Sequence, residues 1–191
     1  MRFVIWTTAI VGVLFMLFVV QKNSSAHAPV WLQTSKNIPK AEAPIGYPER
    51  LAIPSLGIDA PIEYVGITPE GAMGAPKDAL SVAWFDLGVR PGEIGSAVID
   101  GHYGWKNGRA AVFDTLSTLT IGDKILVKDK QGSTTSFVVR AMKSYAQDDP
   151  ASEIFSSQDG KAHLNLITCE GVWDKNLKKY SGRLVIFADK E

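Results

Sequence analysis

Three side chains in this sequence have the chemistry needed to break and remake an acyl bond: Cys169, His102 and Arg183. A thiol is only a few per cent ionised at neutral pH, because its ordinary pKa is about 8.5. A nearby histidine stabilises the thiolate or donates a proton to a leaving amine. An arginine is permanently charged and binds the oxyanion of a tetrahedral intermediate. These residue types together would suit acyl transfer, with Cys169 as the candidate nucleophile.

Each of the three residues lies at one end of a predicted β-strand. His102 follows Val98-Ile99-Asp100-Gly101, Cys169 follows the alternating run 163–168, and Arg183 opens the last β-prone run. Strand ends at the rim of a barrel can converge even when they are distant in the chain. Cys169 stands where an apolar strand meets a polar loop that contains glycine, whereas a cysteine that only fills a core is expected in mid-strand.

Cys169 and the histidines also have alternative interpretations. The sequence contains one cysteine, which excludes an internal disulfide, and a lone cysteine is commonly an apolar filler. His163 is the competing base, but an extended strand places it about 20 Å from Cys169, so we assign the role of base to His102. The three histidines, which include His27, are too scattered for a zinc motif, and we expect neither a metal nor another cofactor.

The elements that must position these residues begin at Glu49, where short β-like runs alternate with turn residues. The predicted strands cover 50–53, 58–62, 96–99, 124–128, 136–141, 163–168 and 183–188, with a hairpin turn at 130–132. Helical signals are short: a helix begins at Asp149-Pro150 and covers 151–156, and another turn or two covers 111–116. The pattern predicts a mostly β domain over 49–191, a barrel or a sandwich, and argues against a doubly wound α/β fold.

The N-terminal part of the chain reads as a membrane anchor and a tether. Residues 3–20 form a run of 18 residues without charge or proline, which as a helix is roughly 27 Å long against a hydrocarbon core of about 30 Å. We interpret 1–20 as an uncleaved transmembrane signal-anchor. A signal peptide cleaved after Ala26-His27-Ala28 is the alternative. The proline-rich residues 21–48 are interpreted as a tether of up to roughly 90 Å, so we predict a single-pass plasma-membrane protein with an extracellular domain.

The charge balance bears on possible partners. The chain has 20 basic and 20 acidic side chains, and its formal net charge is zero. Proteins that bind nucleic acids usually carry a basic excess, because their partner is a polyanion. We therefore expect no nucleic-acid partner.

The residues singled out above resemble the sortase family. Sortases carry a Thr-Leu-x-Thr-Cys signature at a strand end, a Gly-His pair after an earlier strand and an Arg on the next strand. Residues 165–169, Asn-Leu-Ile-Thr-Cys, match this signature except at Asn165, and Gly101-His102 and Arg183 stand in the family's order. The segments 51–62 and 91–99 also look like parts of sortase domains, and the small number of helices looks closest to class E or F.

The resemblance implies a sortase-like eight-stranded β-barrel with short helices behind one transmembrane helix. It also implies transpeptidation: Cys169 attacks the Thr–Gly carbonyl of an LPXTG-like sorting signal, His102 protonates the leaving amine, and Arg183 binds substrate carbonyls or the oxyanion. An amine from a cell-wall precursor or a pilin lysine then resolves the thioester. Thr168 is implied as a substrate or oxyanion contact, and Trp173 either packs on the peptide or covers the barrel end.

Three other functions are the alternatives to a sortase. An L,D-transpeptidase also uses Cys, His and Arg, but its Arg typically lies two residues after the Cys, where this sequence has Gly171. A papain-like hydrolase places its cysteine on a helix, which the strand before Cys169 disfavours. A non-catalytic extracellular β-barrel that serves as a binding module predicts a buried, unreactive Cys169 far from His102.

Overall fold

A computed structural model describes residues 44–106, 108–146, 149–177 and 179–191. The predicted anchor at 1–20 and most of the tether at 21–48 lie outside these residues. Within the described ranges, no helix has both the length and the apolar character needed to cross a membrane.

The last residues of the predicted tether contact the domain. The Gly46 N–H donates to the Asp129 carboxylate at 3.2 Å, and the Tyr47 carbonyl accepts from the Lys130 N–H at 3.0 Å. The first strand starts at Pro48, one residue before the predicted start of the domain.

The domain is mostly β, as predicted. Its elements in chain order are β1 Pro48–Ile53, β2 Ile58–Val65, β3 Val82–Phe85, β4 Gly95–Gly101, β5 Trp105–Lys106, β6 Arg109–Ala110, β7 Lys124–Asp129, β8 Thr134–Ala146, α1 Ser152–Phe155, β9 Ala162–Asp174 and β10 Lys179–Lys190. Eight strands close into a barrel in the order β1-β2-β3-β4-β9-β10-β8-β7, and β5 pairs with β6 separately. The pairs β2–β3 and β4–β9 are parallel. The predicted eight-stranded barrel is confirmed.

The interior of the barrel is filled by the inward-facing half of each strand. Leu164 and Leu166 on β9 are fully buried there with Ile99 of β4 and Phe137 of β8. Successive side chains of a strand point to opposite faces, so the alternation in these runs decides which residues enter the core. Each large apolar side chain buried in this way contributes about 1.5–3 kcal/mol.

A second apolar cluster covers part of the outer face of the sheet. It consists of Val98, Tyr145, Ile154, Ile167, Val185 and Phe187. Ile154 belongs to α1, which therefore packs on the outside of the barrel. The first seven residues of β9 are buried on both faces for this reason, whereas the exposed part of the strand begins at Cys169.

The structure corrects the predictions that Cys169 stands where a strand meets a polar loop and that Arg183 opens the last strand. Cys169 is the eighth residue of β9, which continues to Asp174, and Arg183 is the fifth residue of β10. The two strands continue beyond the barrel as a hairpin with a bulge between Tyr180 and Gly182. The sequence there is polar because the hairpin faces water on both sides, while the ladder still pairs its backbone groups.

Gly171 marks this bulge and explains why the segment reads as a loop. Its φ is +86°, a conformation that glycine adopts without strain. A Cβ at this position would lie 2.2 Å from the Ser181 hydroxyl oxygen, which accepts a hydrogen bond from the Val172 N–H at 3.0 Å. A glycine inside a strand often marks a bulge of this kind.

The two predicted helical segments had different outcomes. The helix predicted at 151–156 is present as the shorter α1. The segment 111–116 is mostly turn, and a 3₁₀ turn follows at Leu116–Thr118.

Candidate active site

The carboxyl end of β4 is fixed tightly against β9. A Cβ at Gly101 would lie 2.3 Å from the Phe113 ring, so only glycine fits this inward position. The Thr168 hydroxyl donates to the Gly101 carbonyl at 2.7 Å, and the Phe113 N–H donates to the His102 carbonyl at 3.0 Å. His102 therefore leaves the end of β4 at a defined place beside β9.

Cys169 and Arg183 are direct cross-strand partners on β9 and β10. Such partners share a face of the sheet, with their Cβ atoms about 4.5–5.5 Å apart. Both residues are exposed, on the outer face where the apolar cover of Ile167 and Val185 ends. The structure thus brings together two of the three residues predicted to act, and the thiol is not the buried filler that a binding module predicts.

His102 lies on the other side of Cys169. The parallel register of β4 and β9 pairs Asp100 with Ile167. The pairing ends there: His102 stands two residues after Asp100, just beyond the end of β4, and Cys169 stands two residues after Ile167 on β9. The His102 ring nitrogen Nε2 lies 2.8 Å from the Pro76 carbonyl. Because a carbonyl only accepts, Nε2 carries the hydrogen and Nδ1 is the nitrogen left for proton transfer.

The surroundings of the thiol favour its neutral form. Although the residue is exposed, partial burial of the sulfur raises the pKa of Cys169, the charge of Asp100 raises it further, and Arg183 lowers it. Together these influences disfavour ionisation of the thiol. The proton has to leave when the sulfur reacts.

A cavity of about 230 Å³ lies beside the thiol. It is lined by Tyr103, Phe113, Ser117, Thr168, Cys169, Glu170, Gly171 and Leu184. Its walls therefore come from the segment after His102 and from the β9–β10 pair, so the cavity is a candidate place for a group bonded to Cys169.

The two predicted substrate contacts have different environments. Thr168 is 1% exposed, and its hydroxyl is used by Gly101, so a contact to substrate through that hydroxyl has no support. Trp173 is 46% exposed and packs edge-on against Tyr180, with ring centroids 5.0 Å apart. Tyr180 also meets Tyr103 at 5.3 Å. These aromatic rings form a wall on the hairpin side of the thiol, and the substrate roles of Thr168 and Trp173 stay predictions.

His163, the competing base in the sequence, has a different role. Its Nδ1 lies 2.7 Å from Asp189 Oδ1 and its Nε2 lies 2.9 Å from Asp159 Oδ1. The side chain is buried at the start of β9, so it is not available to Cys169. Among the described residues, no cluster of three or more His, Cys, Asp or Glu side chains is arranged to hold a metal ion.

Sequence reasoning did not single out Asp100, Tyr103 or Phe113. Asp100 carried a usable signal, because it is a carboxylate at an alternating position of an otherwise apolar strand, two residues before His102. Phe113 gave no such signal. Its contact with Gly101 depends on a loop that folds back over the barrel end.

Comparison with known proteins agrees with this architecture. The family described as Sortase domain matches residues 51–191. None of the curated proteins is significantly similar in sequence to this chain.

Solved sortase structures share the fold. Sortase C1 of Streptococcus agalactiae, in its complex with MTSET, is 23% identical with a TM-score of 0.58, covering 76% of this chain and 69% of that one. Sortase C-1 of Actinomyces oris is 22% identical with a TM-score of 0.58, and the coverage is 74% and 72%. A lid mutant of sortase A from Corynebacterium diphtheriae is 23% identical with a TM-score of 0.60, and the coverage is 78% and 73%.

Proposed function

The chain belongs to the sortase family of cysteine transpeptidases, and from that premise we propose that it cleaves an LPXTG-like sorting signal through a thioester on Cys169. The acyl group then passes to an amine of a cell-wall precursor or a pilin lysine. The observation that carries this proposal is the pairing of exposed Cys169 with Arg183 across β9 and β10, beside the strand end that bears His102.

The first half of the reaction forms the thioester. The Cys169 proton moves to His102 Nδ1 as the sulfur attacks the carbonyl carbon of the sorting signal. The guanidinium of Arg183 binds the oxyanion that develops, because it presents fixed N–H donors from the neighbouring strand. Collapse of the tetrahedral intermediate breaks the C–N bond, and the His102 imidazolium donates its proton to the leaving amine.

The second half reverses these roles. The incoming amine gives a proton to His102 and attacks the thioester carbon, and Arg183 binds the second oxyanion. The C–S bond breaks and Cys169 recovers its proton. The bond between Nε2 and Pro76 holds the imidazole ring in one orientation through both halves.

The substrate and the cellular location rest on other observations. The aromatic rings of Trp173 and Tyr180 offer an apolar surface to an extended peptide beside the thiol. The uncharged run 3–20 and the proline-rich segment 21–48 support a membrane anchor and a tether, with the catalytic domain outside the cell. Membership of class E or F stays a prediction.

The decisive experiment uses the full chain in detergent, an LPXTG-type peptide and a short amine acceptor. We expect the wild-type protein to join the two, with a mass increase on Cys169 when the acceptor is omitted. Because the chain contains one cysteine, Cys169→Ala should lose thiol labelling, the trapped intermediate and the joined product.

Ser157→Ala, a hydroxyl deletion in the loop before β9, serves as a control and should keep all three signals. If Cys169→Ala still joins peptide to amine, the nucleophile is elsewhere. If the wild-type thiol is labelled but neither joins nor hydrolyses any peptide of an LPXTG panel, the sorting-signal substrate is wrong.

A further inference from the structure

The cavity of about 230 Å³ beside the proposed nucleophile offers far more room than one water molecule needs. Cys169 and Glu170 line it from β9, and Tyr103, Phe113 and Leu184 are among its other walls. The reaction proposed above brings two molecules to Cys169 in turn, a sorting signal and an amine. The chemistry of the lining indicates which of the two suits the cavity.

Glu170 is the one lining residue of this cavity with a carboxylate, and no lysine or arginine of the described chain lines it. Glu170 is half-buried and follows Thr168 on the inward-facing side of β9, because side chains of a strand alternate. Its register partner on β10 is Gly182, which has no side chain to cover the carboxylate. The carboxylate makes no hydrogen bond or ion pair with any described residue. A carboxylate partly removed from water and without a cation favours a positively charged ligand.

The other walls suit a carbon chain that carries such a charge. Tyr103 and Phe113 contribute aromatic rings, which attract cations, and Leu184 is apolar. Tyr103 packs against Tyr180, with ring centroids 5.3 Å apart, and Phe113 is fully buried against Gly101. These walls are fixed by the protein's own packing, so binding a ligand there requires little ordering of side chains.

The cavity also adjoins the segment that carries the proposed base. Tyr103 directly follows His102, and the Phe113 N–H donates to the His102 carbonyl at 3.0 Å. Arg183, which binds the oxyanion in the proposed reaction, faces out of the barrel and does not line the cavity. The cavity is therefore left for the group that attacks the thioester.

We propose that Glu170 is the acceptor-binding residue of the site, whose carboxylate binds the ammonium group of the incoming amine in this cavity before the amine resolves the Cys169 thioester. The inference rests on the proposed transpeptidation. A cell-wall precursor and a pilin lysine both bring a primary amine that is charged at neutral pH, so the same carboxylate serves either. The peptide bond of the sorting signal is uncharged and gains no comparable attraction. Glu170 keeps its charge, because the ammonium gives its proton to His102.

The first test needs no sorting peptide. Cys169 of the wild-type full chain in detergent is alkylated with iodoacetamide in the presence of Nα-acetyl-lysine amide or glycylglycinamide, which represent the two acceptor sources. Nα-acetyl-norleucine amide and N-acetyl-glycylglycinamide are the matched compounds without an ammonium group. We expect the charged ligands to slow alkylation and the neutral ones to leave it unchanged at the same concentration. The charged ligand that protects at the lower concentration identifies the preferred source.

The second test compares the wild-type chain with Glu170→Gln and with Glu49→Gln, the same substitution at an exposed position on β1. An LPXTG-type peptide forms the thioester, which is resolved by either ammonium acceptor or by hydroxylamine, a small nucleophile that is uncharged at neutral pH. For Glu170→Gln we expect protection to be lost and KM for both ammonium acceptors to rise about 5-fold or more, since a hydrogen bond between charged groups is worth that much. Thioester formation and resolution by hydroxylamine should stay the same, and Glu49→Gln should equal the wild type throughout.

Several outcomes would overturn the proposal. The wild-type thiol could be protected equally by charged and neutral ligands, or by neither. Glu170→Gln could keep the wild-type protection and acceptor KM. An equal loss with hydroxylamine would show that Glu170 acts only on the structure of the site. If Glu170→Gln does not fold, the comparison of charged and neutral ligands on the wild-type chain decides the question by itself.

The two proposals fail in different ways. If the wild-type protein transfers peptide and Glu170→Gln keeps the acceptor KM of the wild type, only the role of Glu170 is wrong. If the wild-type protein forms no thioester with any peptide of the LPXTG panel, while ammonium ligands protect Cys169 in the wild type and not in Glu170→Gln, the ammonium site stands and the proposed reaction fails.

Discussion

Two cross-strand pairs on the same β9–β10 ladder, His163 with Asp189 and Cys169 with Arg183, serve opposite purposes. In the first pair both ring nitrogens of His163 face carboxylate oxygens within 3 Å, and the imidazole is almost fully buried. In the second pair both side chains are exposed, and the thiol's surroundings disfavour its charged form. A buried titratable group whose hydrogen bonds are satisfied stabilises the fold, whereas an exposed one beside charged side chains is available for reaction.

The difference arises from what covers each pair. The segment before β9 folds over His163 and supplies Asp159, which is itself held by the Ser157 hydroxyl and the Lys161 N–H. The outer apolar cluster, which includes Ile154 of α1, ends at Ile167. Beyond that point the hairpin leaves the barrel. β9 is therefore buried and hydrogen-bonded through His163 where it starts, and it is accessible to solvent where it leaves the barrel.

Replacing Arg183 tests the exposed Cys169–Arg183 pair and is expected to give the largest effect. Arg183→Ala should lower kcat/KM for peptide transfer about 100-fold or more, because loss of one oxyanion donor costs roughly 2.7–4 kcal/mol. The melting temperature should stay the same, since the side chain is exposed. Steady-state kinetics and thermal melts measure the two effects.

Arg50→Ala on β1 is the matched control for loss of a surface arginine, and its turnover should equal that of the wild type. Near-normal turnover of Arg183→Ala would remove Arg183 from the site. It would also reduce the contrast between the two pairs to one of burial alone.

Replacing His163 tests the buried His163–Asp189 pair and should affect stability instead of the rate of peptide transfer. His163→Gln removes hydrogen bonds to two carboxylates, each worth about 1.5–3 kcal/mol when a charged group takes part, and a glutamine amide replaces part of one. We expect a loss of about 2 kcal/mol and a melting temperature roughly 4–8 °C lower. Well below the melting temperature, kcat/KM should change less than about 2-fold. A large loss of turnover with an unchanged melting temperature would give His163 a role in catalysis and contradict the assignment of this pair to stability.

Acid titration is expected to give the smallest and most specific effect. The hydrogen bond with His163, followed by those with Lys161 and Ser157, lowers the pKa of Asp159. This stabilisation is fully present above the unfolded-state pKa of about 3.9 and is lost as pH falls towards the folded-state value.

Asp159→Asn should therefore melt below the wild type at neutral pH, and the two melting curves should converge as the solution is acidified. Asp86→Asn, at an exposed position, should follow the wild type throughout. A constant difference between Asp159→Asn and the wild type at all pH values would show that His163 does not depend on the charge of Asp159.

The sequence by itself determined the residue types and the local pattern. The alternation over 163–168 assigns Leu164 and Leu166 to one face and Ile167 to the other, because side chains along a strand alternate with a period of two. The motif that ends at Cys169, with Gly101-His102 before it and Arg183 after it, indicated the family and the reactive group. Spacing along a strand also excluded His163 as the base.

Only the tertiary structure decided how these residues meet. The parallel pairing of β4 with β9 joins Gly101 to Thr168 across 67 residues, and it is this pairing that brings Asp100 near Cys169. The continuation of β9 beyond Cys169 depends on a partner strand that pairs the backbone of a polar segment. Local propensity carries no record of a distant partner, because pairing and burial are settled by the whole barrel at once. The proposed nucleophile is therefore predicted from the sequence, whereas the groups that surround it follow from the closure of the barrel.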